Sequence, residues 1–295
     1  MKLRKIFFVT ICLISLLLLL TSCSKSTNLI EKNYKTGYGN LEISTMKNYP
    51  TDTVYTSSDF RIIVKLDNNG AYKLTNGKLK ILGFDDNYVV LEETKEDISS
   101  LSGDYYLEGK SSTNPNGEFT YIEFEGSTEK LFSGSESYKA PYIIKADYEY
   151  KTELSETVCV NQNLYDTYQS GCQVKPKVSL SGQGSPLAVT EMEEIIQSGG
   201  LVSKIEFRFK IKNQGKGKVK QATLNKATLG NDLLNCWFKN NPGLVKNIFD
   251  FPDKQETVLI CTKSLTGKTS YETVVFLDLG FKYSLEEKKS ITIKS

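Results

Sequence analysis

The sequence has no histidine among its 295 residues, and this absence excludes several kinds of chemistry. Histidine is the commonest general base of enzymes, so Ser-His-Asp triads and Cys-His pairs cannot form. No asparagine stands in an Asn-x-Ser/Thr sequon either, so heavy N-glycosylation is not expected. The function is therefore one that needs neither an imidazole nor an N-linked glycan.

Carboxylates are the chemistry-bearing groups that remain, because a pair of acids can hydrolyse a glycosidic bond without histidine. Asp85 and Asp86 are adjacent and would point to opposite faces of a strand, so a solvated turn is the simpler interpretation. The group Glu191, Glu193 and Glu194 is interpreted as a charged strand face rather than a cation site. We therefore predict a non-enzyme with no catalytic residue, no metal site and no cofactor.

The N-terminus has the pattern of an export signal. Lys2, Arg4 and Lys5 form a basic head, and the uncharged, mostly apolar stretch 6–20 follows it. This stretch is shorter than the ~20 residues that a helix needs to cross a bilayer. A basic head, a short apolar segment and then small residues predict a signal peptide over residues 1–22.

The signal ends in Leu20-Thr21-Ser22-Cys23, which resembles the lipobox of lipoprotein precursors. In that family a lipid is attached to the cysteine, and cleavage makes this cysteine the first residue. Each buried methylene contributes about 0.8 kcal/mol, and two or more chains anchor firmly. The resemblance implies lipidation at Cys23 and an extracytoplasmic protein anchored to the cell membrane or cell surface. An ordinary secretory signal and an uncleaved anchor remain alternatives.

Processing also changes the charge of the chain. The precursor has 37 Lys and Arg against 35 Asp and Glu, and residues 1–22 contain three basic residues and no acidic one. The mature chain therefore has 34 against 35, a formal net charge of −1. Because nucleic-acid-binding proteins usually carry a basic field, we predict no nucleic-acid partner.

Four cysteines remain once the signal has been removed and Cys23 has taken the lipid. An even number in an exported chain predicts two disulfides, with three possible connectivities. Cys159–Cys172 with Cys236–Cys261 is favoured, since each bond closes a short loop and would contribute about 3 kcal/mol. Zinc is the competing interpretation, but no two of these cysteines lie two to four residues apart.

The two halves of the mature chain repeat one pattern, which predicts a duplicated unit. An alternating apolar strand precedes Asn68-Asn69-Gly70 in one half and Asn213-Gln214-Gly215 in the other, at an offset of 145. An upstream match has an offset of 146, and a late strand has an offset of 133. The matched apolar positions are Leu41 and Ile43 with Leu187 and Val189; Phe60, Ile62, Val64 and Leu66 with Ile205, Phe207, Phe209 and Ile211; and Tyr142, Ile144, Ala146, Tyr148 and Tyr150 with Val275, Leu277, Leu279, Phe281 and Tyr283.

Period-two alternation with frequent Asn-Gly turns predicts an all-β chain of antiparallel sandwiches. We expect a lipidated tether over 23–38, a first β-sandwich over 39–160 and a second over 185–295. Between the two sandwiches, residues 161–184 would form a connector closed by the first disulfide.

Two local predictions accompany this division. The segment Thr190–Ile196 carries a Thr-x-x-Glu helix-capping signature, but its place in the repeat favours a strand. The turn Asn114-Pro115-Asn116-Gly117 predicts a hairpin that joins the strand around Leu107 to the strand 119–124.

Three further motifs are the stretch 107–117, the late strand Tyr148-Glu149-Tyr150-Lys151-Thr152 and the segment Gln183-Gly184-Ser185-Pro186. Together they resemble immunoglobulin-like domains of the adhesion-associated and S-layer-associated type in archaeal envelope proteins. The resemblance covers most of residues 39–295 and brings no catalytic residue. It implies two tandem immunoglobulin-like β-sandwich domains of a two-domain cell-surface lipoprotein, displayed for interaction.

These observations predict a membrane-anchored structural or protein-interaction module of the cell envelope, with an envelope protein or a glycan as partner. Tyr165 and Tyr168, in the connector, are the candidate contact surface, together with the groove between the two domains. A solute- or glycan-binding lipoprotein of a transporter is one alternative, and a carbohydrate-active enzyme is another.

Overall fold

The computed structural model describes residues 34–92, 106–162, 171–197, 202–239, 247–251, 255–266 and 270–295, and the backbone of residues 95–97. The elements within these ranges are all strands. No helix in these ranges has the length and hydropathy needed to cross a membrane. The predicted all-β class is therefore confirmed.

The strands follow one another along the chain. They are β1 Leu41–Thr45, β2 Thr53–Tyr55, β3 Asp59–Asn68, β4 Leu74–Leu82, β5 Val89–Leu91, β6 Lys95–Asp97, β7 Tyr106–Leu107, β8 Phe119–Thr128, β9 Ser137–Asn161, β10 Lys177–Ser179, β11 Leu187–Gln197, β12 Val202–Asn213, β13 Lys218–Leu229, β14 Asp232–Leu233, β15 Asn235–Phe238, β16 Ile248–Asp250, β17 Glu256–Thr266 and β18 Ser270–Lys294.

The strands form three sheets. A first small sheet has the order β1-β3-β8-β5, and a second small sheet has the order β10-β11-β12-β17-β15. A long sheet runs β14-β13-β18-β9-β4-β6, with β16 beside β13, β2 beside β18 and β7 beside β4. Only the pairing of β2 with β18 is parallel among the described strands.

Two strands of 25 residues, β9 and β18, form the middle of the long sheet and pair along their whole length. The pair at the centre of this ladder is Glu149 with Lys282. These two residues are 133 positions apart, which is the repeat offset of the late strand. A pseudo-twofold axis therefore passes through the middle of the ladder and relates the two halves of the chain.

The core lies on one face of the long sheet. Alternate residues of β9 from Ala140 to Leu154 are buried, as are alternate residues of β18 from Val275 to Leu285. The small sheets contribute buried apolar residues to the same core. They include Ile62, Val64, Leu66 and Phe124 from the first small sheet, and Phe207, Phe209, Ile211 and Leu259 from the second. Because one face of β9 is buried along its length, both small sheets pack on that face, as in sheet-on-sheet sandwiches.

Both predicted sandwich segments contribute strands to the long sheet, because β9 of the first segment pairs along its whole length with β18 of the second. Residues 34–295 form one compact unit. The boundaries 39–160, 161–184 and 185–295 and the immunoglobulin-like assignment stay predictions.

The four cysteines pair as the sequence favoured. Cys159 near the end of β9 lies 2.09 Å from Cys172, sulfur to sulfur, and Cys236 of β15 lies 2.07 Å from Cys261 of β17. The second bond joins residues that face each other across neighbouring strands.

The hairpin expected around residues 114–117 is not formed. The turn itself is present, with the amide of Gly117 donating to the carbonyl of Asn114. The strands on its two sides belong to different sheets, however, because β7 pairs with β4 and β8 pairs with β3. The turn therefore carries the chain from the long sheet to the first small sheet.

Candidate interaction surface

A buried tyrosine and an asparagine hold the turn that follows β3. The Tyr150 hydroxyl donates to Asn68 Oδ1 (3.1 Å) and accepts from the amide of Tyr72 (3.1 Å). Asn68 Nδ2 in turn donates to the carbonyl of Tyr72 (2.8 Å). Gly70 is required here, since a Cβ atom would lie 2.1 Å from the Tyr150 oxygen.

The second half repeats these contacts. Tyr283 donates to Asn213 Oδ1 (3.2 Å) and accepts from the amide of Gly217 (2.9 Å). Asn213 Nδ2 donates to the carbonyl of Gly217 (2.7 Å), and a Cβ atom on Gly215 would lie 2.2 Å from the Tyr283 oxygen. The Asn-x-Gly repeat of the sequence therefore has the same structural role in both halves.

The two tyrosine contacts meet at the middle of the long sheet. The Tyr148 ring lies 5.6 Å from that of Tyr283, and the Tyr150 ring lies 6.0 Å from that of Phe281. Burial raises the pKa of the Tyr150 and Tyr283 hydroxyls, so both are neutral hydrogen-bonding groups. Tyr148 also donates to Asn40 Oδ1, which lies just before β1. The contacts of these tyrosines therefore hold the start of β1 and the turn after β12 against the middle of the long sheet.

A groove of about 550 Å³ lies between these two segments. Its walls carry one aromatic ring, several side-chain amides and charges of both signs, and its apolar part comes from β1 and β18. The lining residues are Tyr38, Gly39, Asn40, Leu41, Glu42, Ile43, Asn69, Gln214, Gly215, Lys216, Leu285 and Glu287. We call this groove, whose lining residues come from both halves of the chain, the inter-half groove.

An exposed aromatic pair continues from the groove across the first small sheet. Phe119 is 55% exposed and Tyr121 is 49% exposed, and their rings lie 5.8 Å apart. Lys65 lies over the Phe119 ring, with Nζ 4.7 Å from its centroid, and forms an ion pair with Asp67 (2.8 Å). We call Phe119, Tyr121, Lys65 and Asp67 the aromatic patch.

The aromatic patch and the groove are continuous because the strands place them in one row. Glu42 of β1 stands opposite Asp67 of β3, and Asp67 stands opposite Phe119 of β8. Glu42 also accepts a hydrogen bond from Asn69 Nδ2 (2.9 Å) at the rim of the groove. An aromatic face beside charged and amide groups can stack on a ligand and hydrogen-bond to it.

The sequence missed the aromatic patch, although the signal was present. The strand 119–124 was predicted without dividing its residues between an inward and an outward face. Residues separated by three positions on a strand point to opposite faces. With Ile122 buried, Phe119 and Tyr121 must therefore face outwards.

The remaining predicted site residues fall into two groups. The lipidation site Cys23 and the contact tyrosines Tyr165 and Tyr168 lie outside the described residues. Asp85 forms a turn, in which its carboxylate accepts from the amide of Asn87 (3.0 Å). Within the described ranges no three His, Cys, Asp or Glu side chains are placed to hold a metal ion together.

The interpretation of Glu191, Glu193 and Glu194 as one charged strand face is wrong. Glu191 and Glu193 contact Lys177 Nζ at 2.9 and 3.7 Å, but Glu194 is only 5% exposed and points inwards. Its Oε1 atom has no hydrogen-bond partner, and burial raises the pKa of its carboxyl to about 7. A register shift between Val189 and Glu191 changes the alternation of β11 and turns Glu194 to the core face.

The chain matches no protein-family model, and no curated protein matches it.

Proposed function

We propose that the chain is an extracytoplasmic lipoprotein, anchored through Cys23, that acts as a non-catalytic interaction module of the cell envelope. The lipobox-like segment that ends at Cys23 supports the anchor. The observation that carries the interaction role is the exposed aromatic patch, which continues into the inter-half groove. Exposed aromatic rings are enriched in protein interfaces, where their large apolar surface contributes much of the binding energy.

The anchor is tested with a single substitution. Cys23→Ala removes the sulfur that would carry the lipid, so the variant should leave the membrane fraction because no acyl chain holds it there. Cell fractionation measures this, and intact-mass spectrometry of the wild type should show the mass of a lipidated Cys23. Cys12→Ala is the matched control, because Cys12 precedes the cleavage site. An unmodified Cys23 in membrane-extracted protein would contradict the proposal.

The contact surface is tested by cross-linking and pull-down from native membranes. Replacing Phe119 and Tyr121 by alanine should lower recovery of the neighbour roughly ten-fold or more, because buried interface aromatics often contribute 2 kcal/mol or more. Tyr165→Ser with Tyr168→Ser tests the connector tyrosines, and we expect a weaker association there too. Phe132, which is also exposed but lies outside the patch, gives the control Phe132→Ala. Unchanged recovery with both pairs would remove these surfaces as contacts.

A solute- or glycan-binding lipoprotein is the second candidate, and the aromatic patch favours its glycan form. An exposed aromatic ring face can stack on a sugar, and Lys65 and Asp67 can hydrogen-bond to hydroxyl groups. A glycan survey with wild type and the Phe119→Ala, Tyr121→Ala variant separates the candidates. Binding that the variant loses would favour the glycan, and turnover of a glycan would contradict the non-enzyme prediction.

A further inference from the structure

Within the part of the chain that the structure describes, the two small sheets differ at one edge, although the repeat makes them equivalent. In the second small sheet, β11 has β12 on one side and β10 on the other. By the repeat, β1 is the counterpart of β11, since Leu41 and Ile43 match Leu187 and Val189. β1 pairs with β3 alone, and no strand in the described part of the chain lies on its other side.

The free edge of β1 presents backbone groups in a strand pattern. The amide of Met46 donates to Ile63, and the carbonyl of Asn40 accepts from Asn69, so the even-numbered residues bond to β3. Antiparallel strands alternate the direction of their backbone groups. The N–H and C=O groups of Ile43 and Thr45 therefore point to the free edge.

The inter-half groove runs beside this edge. Residues 38–43 form one wall, and Gln214, Lys216 and β18 form the other. Unprotected edge strands pair readily with other chains, and proteins commonly block them with lysine, proline or a covering segment. The sequence of β1, LEIST, has neither lysine nor proline.

We propose that the edge of β1 binds an extended segment of a partner polypeptide, added as an antiparallel strand in the inter-half groove. This inference rests on the proposed interaction role and deepens it by stating the chemistry of the partner. The template is β10, which occupies the equivalent edge antiparallel to β11. A polypeptide suits this edge because regularly spaced N–H and C=O groups match another peptide backbone.

The groove also selects the side chains of the segment. Ile43 and Leu285 offer an apolar floor, so alternate residues of the segment are apolar. Glu42 and Glu287 outnumber Lys216 along the walls, so a basic residue is favoured among the others. β10 has this composition itself, with Val178 between Lys177, which pairs with Glu191, and Ser179.

The first test uses a synthetic peptide of residues 174–182, which contains β10, and the full-length processed protein in detergent. Hydrogen exchange is followed by NMR with and without the peptide. Saturating peptide should slow exchange of the Ile43 and Thr45 amides about ten-fold or more, because both become hydrogen-bonded. The Glu42 and Ser44 amides face β3 and serve as the internal control. Unchanged exchange at Ile43 and Thr45 overturns the proposal.

Two methylated peptides test the strand geometry without altering the protein. In β10 the Leu180 amide donates to Thr190 and the Pro176 carbonyl accepts from Glu194, so Val178 and Leu180 face the neighbouring strand. N-methylation at Val178 and Leu180 should weaken binding about ten-fold or more, since two ladder bonds are lost. N-methylation at Lys177 and Ser179 should leave affinity unchanged. Equal losses with both peptides would overturn strand addition.

A protein variant gives a third readout. Thr45→Pro removes one outward N–H while the bonds of β1 to β3 remain, and proline is tolerated on edge strands. It should weaken peptide binding about ten-fold at an unchanged melting temperature. If the variant unfolds, the two methylated peptides still test strand addition, because they are used with the unaltered protein.

Other occupants give different outcomes. Concentration-dependent dimers with Ile43 protected in the absence of peptide would assign the edge to a second copy of the chain and overturn the proposal. Protection by a glycan but by no peptide would overturn it as well. Capture of a membrane neighbour without protection of the β1 amides would contradict this inference and support the proposed function. Protection of the β1 amides in a protein that is not membrane-anchored would support this inference and contradict the proposed anchor.

Discussion

Replacing Asn68 by alanine is expected to lower the free energy of unfolding by about 4 kcal/mol, measured by urea denaturation. Asn68 is fully buried, and its side chain bonds to four groups. They are the carbonyls of Tyr72 and Leu107, the amide of Gly70 and the hydroxyl of Tyr150. Alanine removes one hydrogen bond from each of these four groups, and each such loss costs about 1 kcal/mol or more.

The neighbouring asparagine is a matched control for this variant. Asn69 is half-buried, and within the described residues its side chain hydrogen-bonds only to Glu42, so Asn69→Ala should change stability by less than about 0.5 kcal/mol. Asn213→Ala removes the equivalent contacts in the second half and should act in the same direction. Its effect should be smaller because Asn213 is only partly buried. An Asn68→Ala loss no larger than that of Asn69→Ala would contradict a structural role for the duplicated contacts.

Replacing Glu194 by glutamine is expected to stabilise the protein at pH 8 by up to about 3 kcal/mol. Burial raises the pKa of Glu194 from its ordinary 4.5 to about 7 in the folded chain. Between these two values the folded state holds a proton that the unfolded state has released. The unfolding free energy of the wild type therefore falls as the pH rises from 4.5 to 7, and the full cost applies above pH 7.

The pH dependence separates this effect from an ordinary change in packing. Glutamine does not ionise, so the Glu194→Gln variant should lose this slope, and its stability at pH 4.5 should equal that of the wild type. Glu193→Gln is the matched control, because Glu193 lies on the opposite face near Lys177. Urea denaturation at several pH values measures all three proteins. Parallel pH curves for wild type and Glu194→Gln would show that the buried carboxyl is not the cause.

The two predictions differ in how close the substituted residue lies to the interaction surface. Asn68 and Tyr150 fix the turn after β3, whose Asn69 borders the groove. Glu194 lies on β11, the counterpart of β1. A loss of stability at Asn68 should therefore also disturb partner binding at the groove, whereas a change at Glu194 should leave it intact.

The repeat was predictable because apolar and polar residues alternate in the same way along the corresponding strands of the two halves. Leu41 with Leu187, Phe60 with Ile205 and Tyr150 with Tyr283 occupy equivalent places in β1 and β11, β3 and β12, and β9 and β18. Alternation along a strand depends only on which face is buried, so it is visible in the sequence without knowledge of the neighbouring strands. For the same reason the repeat correctly placed a strand over Thr190–Ile196, although that segment carries a helix-capping signature.

Parts of the site were not predictable from local pattern. A β-bulge in β11 reverses the faces after Val189, and nothing in the residues around Glu194 reveals that extra position. The turn at 114–117 has hairpin composition but joins two sheets, because sheet membership depends on distant partners. The groove arises from segments some 170 residues apart in sequence, Asn40 and Gln214, which meet only at the middle of the long sheet.

The amino-acid sequence alone determined the all-β class, the correspondence between the strands of the two halves and the preferred cysteine pairing. Each of these follows from alternation or from spacing along the chain. Tertiary structure alone decided that β9 and β18 join the halves in one sheet, that Glu194 is buried, and that β1 has β3 as its one neighbouring strand among the described residues, beside a groove. Those features depend on which strands become neighbours, and strand pairing is set by the free energy of the whole core rather than by any one segment.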